Sequence, residues 1–340
     1  MSRRPTVLVA RLDADGDVLL AGPAVRAVAA AGRVVLLVGP RGQQAARLLP
    51  GVDEVIVWAA PWIEPAPAPT VSAEHVAALT HKLVARGVDE AVVLTSYHQS
   101  PLPLALVLRL AGVARISAIS ADYPGSLLDV RQPDPGDVPE AERARSLAAA
   151  AGFTPPAGDD GRLAVRRPLP DTATLTGAGR YVVLHPGTSV TARAWPRERW
   201  LQTAELLSHH GSRVVVTGGP DERALTAAVA GAGGVDLGGR TTLAQLADVL
   251  DRATAVVVAN TGPAHLAAAV GTPVVSLFAP TVPARRWAPY GVPVVLLGDQ
   301  LAPCRDTRAT TCPVPGHPCL SSVTAHDVAG ALSRLEEAAA

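Results

Sequence analysis

The chain alternates between short runs of apolar, β-branched residues and longer stretches in which Ala, Leu and Val recur at helical spacing. In the first half the β-rich runs fall at 6–10, 34–38, 54–57, 91–95 and 115–119, and stretches of helical period at 18–31, 42–49, 73–86 and 102–111. Runs that are apolar throughout, rather than at every second position, belong to strands buried on both faces. Their alternation with helices predicts a parallel sheet covered on both sides. Residues 153–180 interrupt the pattern with Pro155, Pro156, Pro168, Pro170 and several glycines, the composition of an inter-domain connection. A second series follows, with strands at 181–184, 213–216, 255–258, 274–278 and 294–297 and helices at 197–210, 221–231, 242–251 and 261–270. A closing helix over 324–338 starts at a Thr cap. The expectation is an α/β chain of two doubly wound, Rossmann-like domains, 1–170 and 171–340, with a cleft between them.

Composition narrows the classes of function. With 340 residues, 48% of them hydrophobic, the chain can bury large cores. Thirty basic residues balance thirty acidic ones without a long block of either sign, so the footprint of a nucleic-acid binder is absent. Lys82 is the sole lysine, and any phosphate contact must use arginine, backbone amides or hydroxyls. The apolar run near the start is broken by Arg11 and Asp13, too short for a signal-peptide core or a membrane span. These features predict a cytoplasmic protein without a transmembrane segment.

The chemistry concentrates in turns that follow strands. In 259–266, Ala-Asn-Thr-Gly-Pro-Ala-His-Leu, a buried strand passes into a short helix. Free N–H groups at a helix start favour an anion, Gly262 permits close approach, Thr261 adds a hydroxyl and His265 a ring N–H. An ordinary turn, with Asn260 capping the helix and His265 satisfied in the core, explains the segment equally well. In open parallel sheets ligands lie at the carboxyl ends of strands, which directs attention to Asp13, Asp15 and Asp17 after the first strand. Asp17 sits at the helix start, where a cap is its plain role, and Asp13 and Asp15 read as solvated turn residues. The turn is not a G-x-G-x-x-G fingerprint. After the first strand of the second series, Gly187, Thr188 and Ser189 offer donors to a phosphate and Arg193 a charged partner; a surface loop pinned by Trp195 is the alternative.

Taken in order, Arg11-Leu-Asp-x-x-Gly-Asp-Val, His185-Pro-Gly-Thr with Arg193-x-Trp-Pro, Gly218-Gly-Pro-Asp-Glu, and Asn260-Thr-Gly-Pro-Ala-His with Gly271-Thr-Pro-Val-Val-Ser-Leu-Phe-Ala-Pro-Thr resemble glycosyltransferase family 9, the ADP-heptose:lipopolysaccharide heptosyltransferases. The resemblance implies a GT-B fold, an acceptor-binding first domain, a nucleotide-sugar-binding second domain, and a last helix that commonly crosses back to the first. It implies Asp17 as catalytic base, Thr188, Ser189 and Arg193 on the diphosphate, Glu222 on the ribose, and Thr261, Gly262 and His265 in the second diphosphate loop. Arg193 stands where the family has a lysine. Asn260 stands where it has an aspartate that contacts the donor sugar.

The function expected is inverting transfer of a heptose or related sugar from a nucleotide-diphosphate donor, ADP-linked by resemblance, to a hydroxyl of a glycan or small acceptor. No cofactor is required beyond the sugar nucleotide as co-substrate, and peripheral membrane association through the acceptor is compatible with it. Asp13, His98, Gln99 and Tyr123, with Tyr97 and Ser100 beside them, are the acceptor-side candidates, and 61–69 is either a lid or a semi-rigid surface loop. A sugar-nucleotide epimerase and a catalytically silent binding protein are the rivals. Cys304, Cys312, His317 and Cys319 have the residue types of a zinc site but lack a C-x2-C knuckle, and reduced thiols packed in a loop are the reading adopted, with no metal.

Overall fold

The computed structural model describes residues 4–231 and 233–339. The chain up to Arg166 forms one compact unit and the chain from Arg167 another.

The first unit runs β1 (Thr6–Arg11), α1 (Asp15–Leu20), α2 (Gly22–Ala31), β2 (Arg33–Val38), α3 (Gln43–Leu48), β3 (Glu54–Val57), α4 (Ala73–Val84), β4 (Glu90–Val93), α5 (Leu102–Leu110), β5 (Arg115–Ile119), β6 (Val130–Gln132) and α6 (Glu140–Ala150). Its six strands are parallel, in the order β3-β2-β1-β4-β5-β6. Val9 lies opposite Leu36 on one side and Val92 on the other, and all six β1 residues are buried, as the continuous apolar run requires. The helix expected over 18–31 is two helices. Pro23, at the second position of α2, lacks an N–H and suits the first turn of a new helix, not the interior of a longer one.

The second unit runs α7 (Ala173–Thr176), β7 (Val182–His185), α8 (Arg197–His209), β8 (Val214–Val216), α9 (Arg223–Ala230), β9 (Val235–Asp236), α10 (Leu243–Asp251), β10 (Ala255–Ala259), α11 (Gly262–Val270), β11 (Val274–Leu277), α12 (Ala284–Trp287), β12 (Val294–Leu297), α13 (Pro318–Ser321) and α14 (Ala325–Ala339). Its sheet is again six-stranded and parallel, ordered β12-β11-β10-β7-β8-β9. α14 opens at Thr324, whose hydroxyl accepts from Asp327 N at 3.2 Å while Asp327 Oδ2 accepts from Thr324 N at 2.8 Å. The helix packs on α8 and beside β12.

The Pro- and Gly-rich segment at 153–180 is not a loose connection. Its first part belongs to the first unit, where Leu163 and Val165 are buried and Asp159 receives Arg26 Nε at 2.6 Å and Nη2 at 2.8 Å. Its second part is tied to α10. Arg167 is bidentate on Asp251 at 2.8 and 2.7 Å, and Thr172 donates from N and Oγ1 to Asp248 at 2.9 and 2.6 Å.

In each sheet the strand order reverses direction once, between β1 and β4 in the first unit and between β7 and β10 in the second. Loops leaving those strands diverge to opposite faces and open a crevice at the carboxyl edge. The motifs that begin at Arg11, His185 and Asn260, and the loop carrying Tyr97 to Ser100, each leave one of these four strands.

Candidate active site

In the first unit the crevice is organised by Arg11, the last residue of β1, which is 3% exposed. Its Nη2 donates to Asp17 Oδ1 at 2.8 Å and to Ser96 Oγ at 2.9 Å, its Nε lies 2.9 Å from Asp13 Oδ2, and its Nη1 lies 3.6 Å from Glu140 Oε2. Burial works against this charge, but Asp13, Asp17 and Glu140 outweigh it and hold the guanidinium above the ordinary arginine range. Gln99, after β4, completes the bridge across the switch point: its Nε2 donates to Asp13 Oδ1 at 2.7 Å and its Oε1 accepts from Ser96 N at 3.1 Å.

The acidic turn therefore differs from the expectation of caps and solvated residues. Asp17 is the third residue of α1, whose cap position is Ala14, and its Oδ1 accepts from Arg11 Nη2. Asp13 is largely buried. Burial raises its pKa and the Asp17 charge adds to that, against the lowering effects of Arg11, Gln99 and Arg41. Asp15 points the other way, accepting from Ala45 N at 2.8 Å at the start of α3. Of the other acceptor-side candidates, Gln99 joins this network. Tyr97 and His98 lie in the same loop with their rings edge to face at 5.3 Å, Ser100 caps the turn into α5 at 3.4 Å from Leu102 N, and Tyr123 is 85% exposed after β5. Arg11 itself was missed because in the sequence it only interrupts an apolar run.

In the second unit, the loop after β7 and the turn after β10 are joined where Arg193 Nη1 donates to the carbonyl of Asn260 at 3.1 Å. Thr261 is the cap position of α11, Gly262 its first residue and Pro263 its second, and His265 is buried one turn in. Asn260 does not cap that helix. It is 6% exposed, and its side-chain amide pairs with Ala279 beyond β11, Nδ2 donating at 3.3 Å and Oδ1 accepting at 3.4 Å. Thr188 Oγ1 closes a turn on Val190 N at 3.2 Å, and Ser189 is exposed.

Glu222 approaches from the loop after β8. Its Oε2 accepts from Gly219 N at 2.7 Å, and its carboxylate lies over Gly187 so closely that a Cβ there would fall 1.9 Å from Glu222 Cδ. A side chain at 187 fits only by displacing the Glu222 carboxylate. His185, at the end of β7, is 7% exposed with Nδ1 2.9 Å from Thr217 Oγ1, and burial pulls its pKa down to about 4, so the ring is neutral at pH 7.

The cysteine-bearing segment braces this loop. Ala192 N donates to Thr310 O at 3.0 Å, His317 Nε2 lies 3.1 Å from Ala192 O, and Trp195 Nε1 donates to Leu320 O at 3.1 Å. Cys304 and Cys319 are buried in the apolar core, and Cys312 Sγ lies 3.4 Å from Val314 O. Burial, then Cys304, pushes the Cys319 thiol up to about 12. All three cysteines are free, and among the described residues no group of three or more His, Cys, Asp or Glu is placed to hold a metal ion. Of the four residues considered as zinc ligands, Cys319 pairs with Cys304 and His317 is turned to Ala192 O.

A stretch of 107 residues is 32% identical to lipopolysaccharide heptosyltransferase 3 of Escherichia coli, covering 29% of this chain and 32%, about a third, of that protein. The crystal structure of a family 9 glycosyltransferase from Veillonella parvula superposes with a TM-score of 0.81 at 17% identity, over 98% of each chain. An E. coli heptosyltransferase crystallised with ADP-2-deoxy-2-fluoro heptose gives 0.71 at 23%, over 98% of this chain and 100% of the other. The fold is therefore GT-B. The profile of glycosyltransferase family 9 (heptosyltransferase) matches residues 76–316, well over half of the chain, and the protein belongs to that family.

Proposed function

We propose that the protein is an inverting glycosyltransferase that moves a heptose or related sugar from an ADP-linked donor to a hydroxyl of a glycan or small acceptor. The observation that carries this reading is the Asp17 carboxylate, held at the carboxyl end of β1 by Arg11 rather than spent on a helix cap. In the reaction Asp17 takes the proton of the acceptor hydroxyl as that oxygen attacks the anomeric carbon. The bond from that carbon to the diphosphate breaks, and the nucleoside diphosphate departs with its charge.

Departure is assisted by Arg193, by the amide of Gly262 and hydroxyl of Thr261 at the start of α11, and by His265 in its first turn. A well-placed donor at a developing charge contributes about 3–4 kcal/mol, more than a single general base usually supplies. Glu222 is assigned to the ribose hydroxyls, and Thr188 and Ser189 to the diphosphate. Asn260 supports the donor turn through Ala279. The heptosyltransferase relatives, one of them crystallised with an ADP-heptose analogue, support the donor named. Three free thiols suit a reducing, cytoplasmic setting, and among the described residues no helix is long and apolar enough to cross a membrane.

The test is Asp17→Asn. Transfer is expected to be abolished, with nucleoside diphosphate affinity by calorimetry unchanged within about twofold. Near-wild-type turnover would return Asp17 to a structural role. An epimerase would convert the sugar nucleotide with no acceptor present, which the same assay detects.

A further inference from the structure

His185 ends β7, two residues before Gly187, and its ring is held from one side only. The residue is 7% exposed. Its Nδ1 lies 2.9 Å from Oγ1 of Thr217, a fully buried residue just beyond β8, while Nε2 has no hydrogen-bond partner among the described residues. A polar atom in so buried a ring is costly to leave unmatched, and a ligand is one way to match it.

The surroundings decide which nitrogen carries the proton. Thr217 Oγ1 bonds to Nδ1 and to no other group among the described residues. If Nδ1 held the proton, the hydrogen of that buried hydroxyl would have no acceptor. With the hydroxyl donating to Nδ1 both atoms are satisfied, and the proton rests on Nε2. Burial lowers the pKa of the ring to about 4, so Nε2–H is a neutral donor at pH 7.

Strand order fixes what this donor stands beside. β7 lies between β10, which leads into α11, and β8, which leads to Glu222. From one side Arg193 reaches the turn into α11 at Asn260 O, and from the other the Glu222 carboxylate comes over Gly187. The two loops are tied at His185 itself, since Thr217 N also donates to Leu184 O at 3.0 Å. With Arg193 and the start of α11 assigned to the diphosphate and Glu222 to the ribose, the end of β7 falls where ribose and phosphate join.

We infer that His185 is a nucleotide-binding residue whose Nε2–H donates to an oxygen of the donor's α-phosphate, with Thr217 holding the tautomer. The inference rests on the donor site proposed for the second unit.

The experiment uses the full chain with adenosine, AMP and ADP. A two-bond 1H–15N correlation spectrum of the wild type at pH 7 should show His185 as the Nε2–H tautomer, its signal identified by its absence in His185→Asn or His185→Gln. AMP and ADP should shift its Nε2, and adenosine should not. In calorimetry His185→Asn, whose amide replaces Nδ1 but falls short of Nε2, should weaken AMP and ADP about tenfold and adenosine less than twofold. His185→Gln, whose amide reaches the place of Nε2, should recover most of that loss. A ring that serves only to hold Thr217 predicts the reverse order of the two variants. That order, an Nδ1–H tautomer, or an Nε2 signal unmoved by bound ADP overturns the inference. ADP that binds the wild type without moving His185 defeats this inference alone, whereas failure of ADP to bind the wild type defeats the proposed donor and this inference with it.

Discussion

Burying a guanidinium costs several kcal/mol unless it is paired and hydrogen-bonded, and Arg11 meets that condition by drawing Asp13, Asp17, Glu140 and Ser96 around one fork. The arrangement depends on planarity. Lysine would keep the charge but present a point donor, unable to hold Asp13 from Nε and Asp17 from Nη2 together. Arg11→Lys is expected to fold and to bind nucleotide normally while kcat falls at least tenfold, whereas Arg11→Met leaves its carboxylates without their shared cation and should cost about 3–5 kcal/mol of stability in urea titration. A second residue-scale test concerns Gly187. Alanine there must displace the Glu222 carboxylate, so Gly187→Ala should weaken nucleoside diphosphate binding about tenfold by calorimetry. In a Glu222→Ala background the same change should add little, because the two effects share one cause.

At the scale of elements, the strands of both sheets were legible because continuous Val, Leu and Ile runs bury both faces, and the loops after them were legible because ligand sites in such sheets gather there. What escaped has physical reasons. α6 (Glu140–Ala150) has only a weak apolar stripe, because the face that buries Ala141, Ala144, Leu147 and Ala148 also carries Glu140 at 2% and Arg143 at 5% exposure. β6 and β9 have three and two residues, too few for any period. The turn after β10 was read as a choice between an Asn260 cap and a sugar contact; the side chain does not cap α11 but pairs with Ala279 beyond β11, a partner that is not visible in local sequence. Asn260→Asp replaces a donor by an acceptor facing Ala279 O in a buried position. The expected cost is about 1–3 kcal/mol in thermal melts, and any change in donor ranking should follow from movement of Thr261 and Gly262. Unchanged stability with altered ranking would put the side chain on the sugar instead.

Among the described residues one core is drawn from residues between Leu8 and Leu128 and another from residues between Val182 and Leu335, so heat or denaturant need not melt the chain in a single step. Two perturbations identify the second unit's transition. His185 has an ordinary pKa of 6.5 that burial lowers to about 4. Between those values the unfolded chain binds the extra proton and the folded chain does not, so the contribution is fully present above pH 6.5 and is lost as pH falls toward 4. A difference of about 2.5 units corresponds to roughly 3 kcal/mol. Nucleoside diphosphate acts in the opposite direction, because it binds only the folded unit: at about 100 times its dissociation constant it should stabilise by about 2.7 kcal/mol. His185 ends β7, and the proposed donor loops leave β7 and β10, so acid and ligand must act on the same transition. Calorimetry at pH 7 and pH 5 with and without ADP is expected to show one transition that falls with acid and rises with ADP, and the acid sensitivity should shrink in His185→Asn. Ligand and acid moving different transitions would separate the donor loops from His185 and move the nucleotide site out of the second unit.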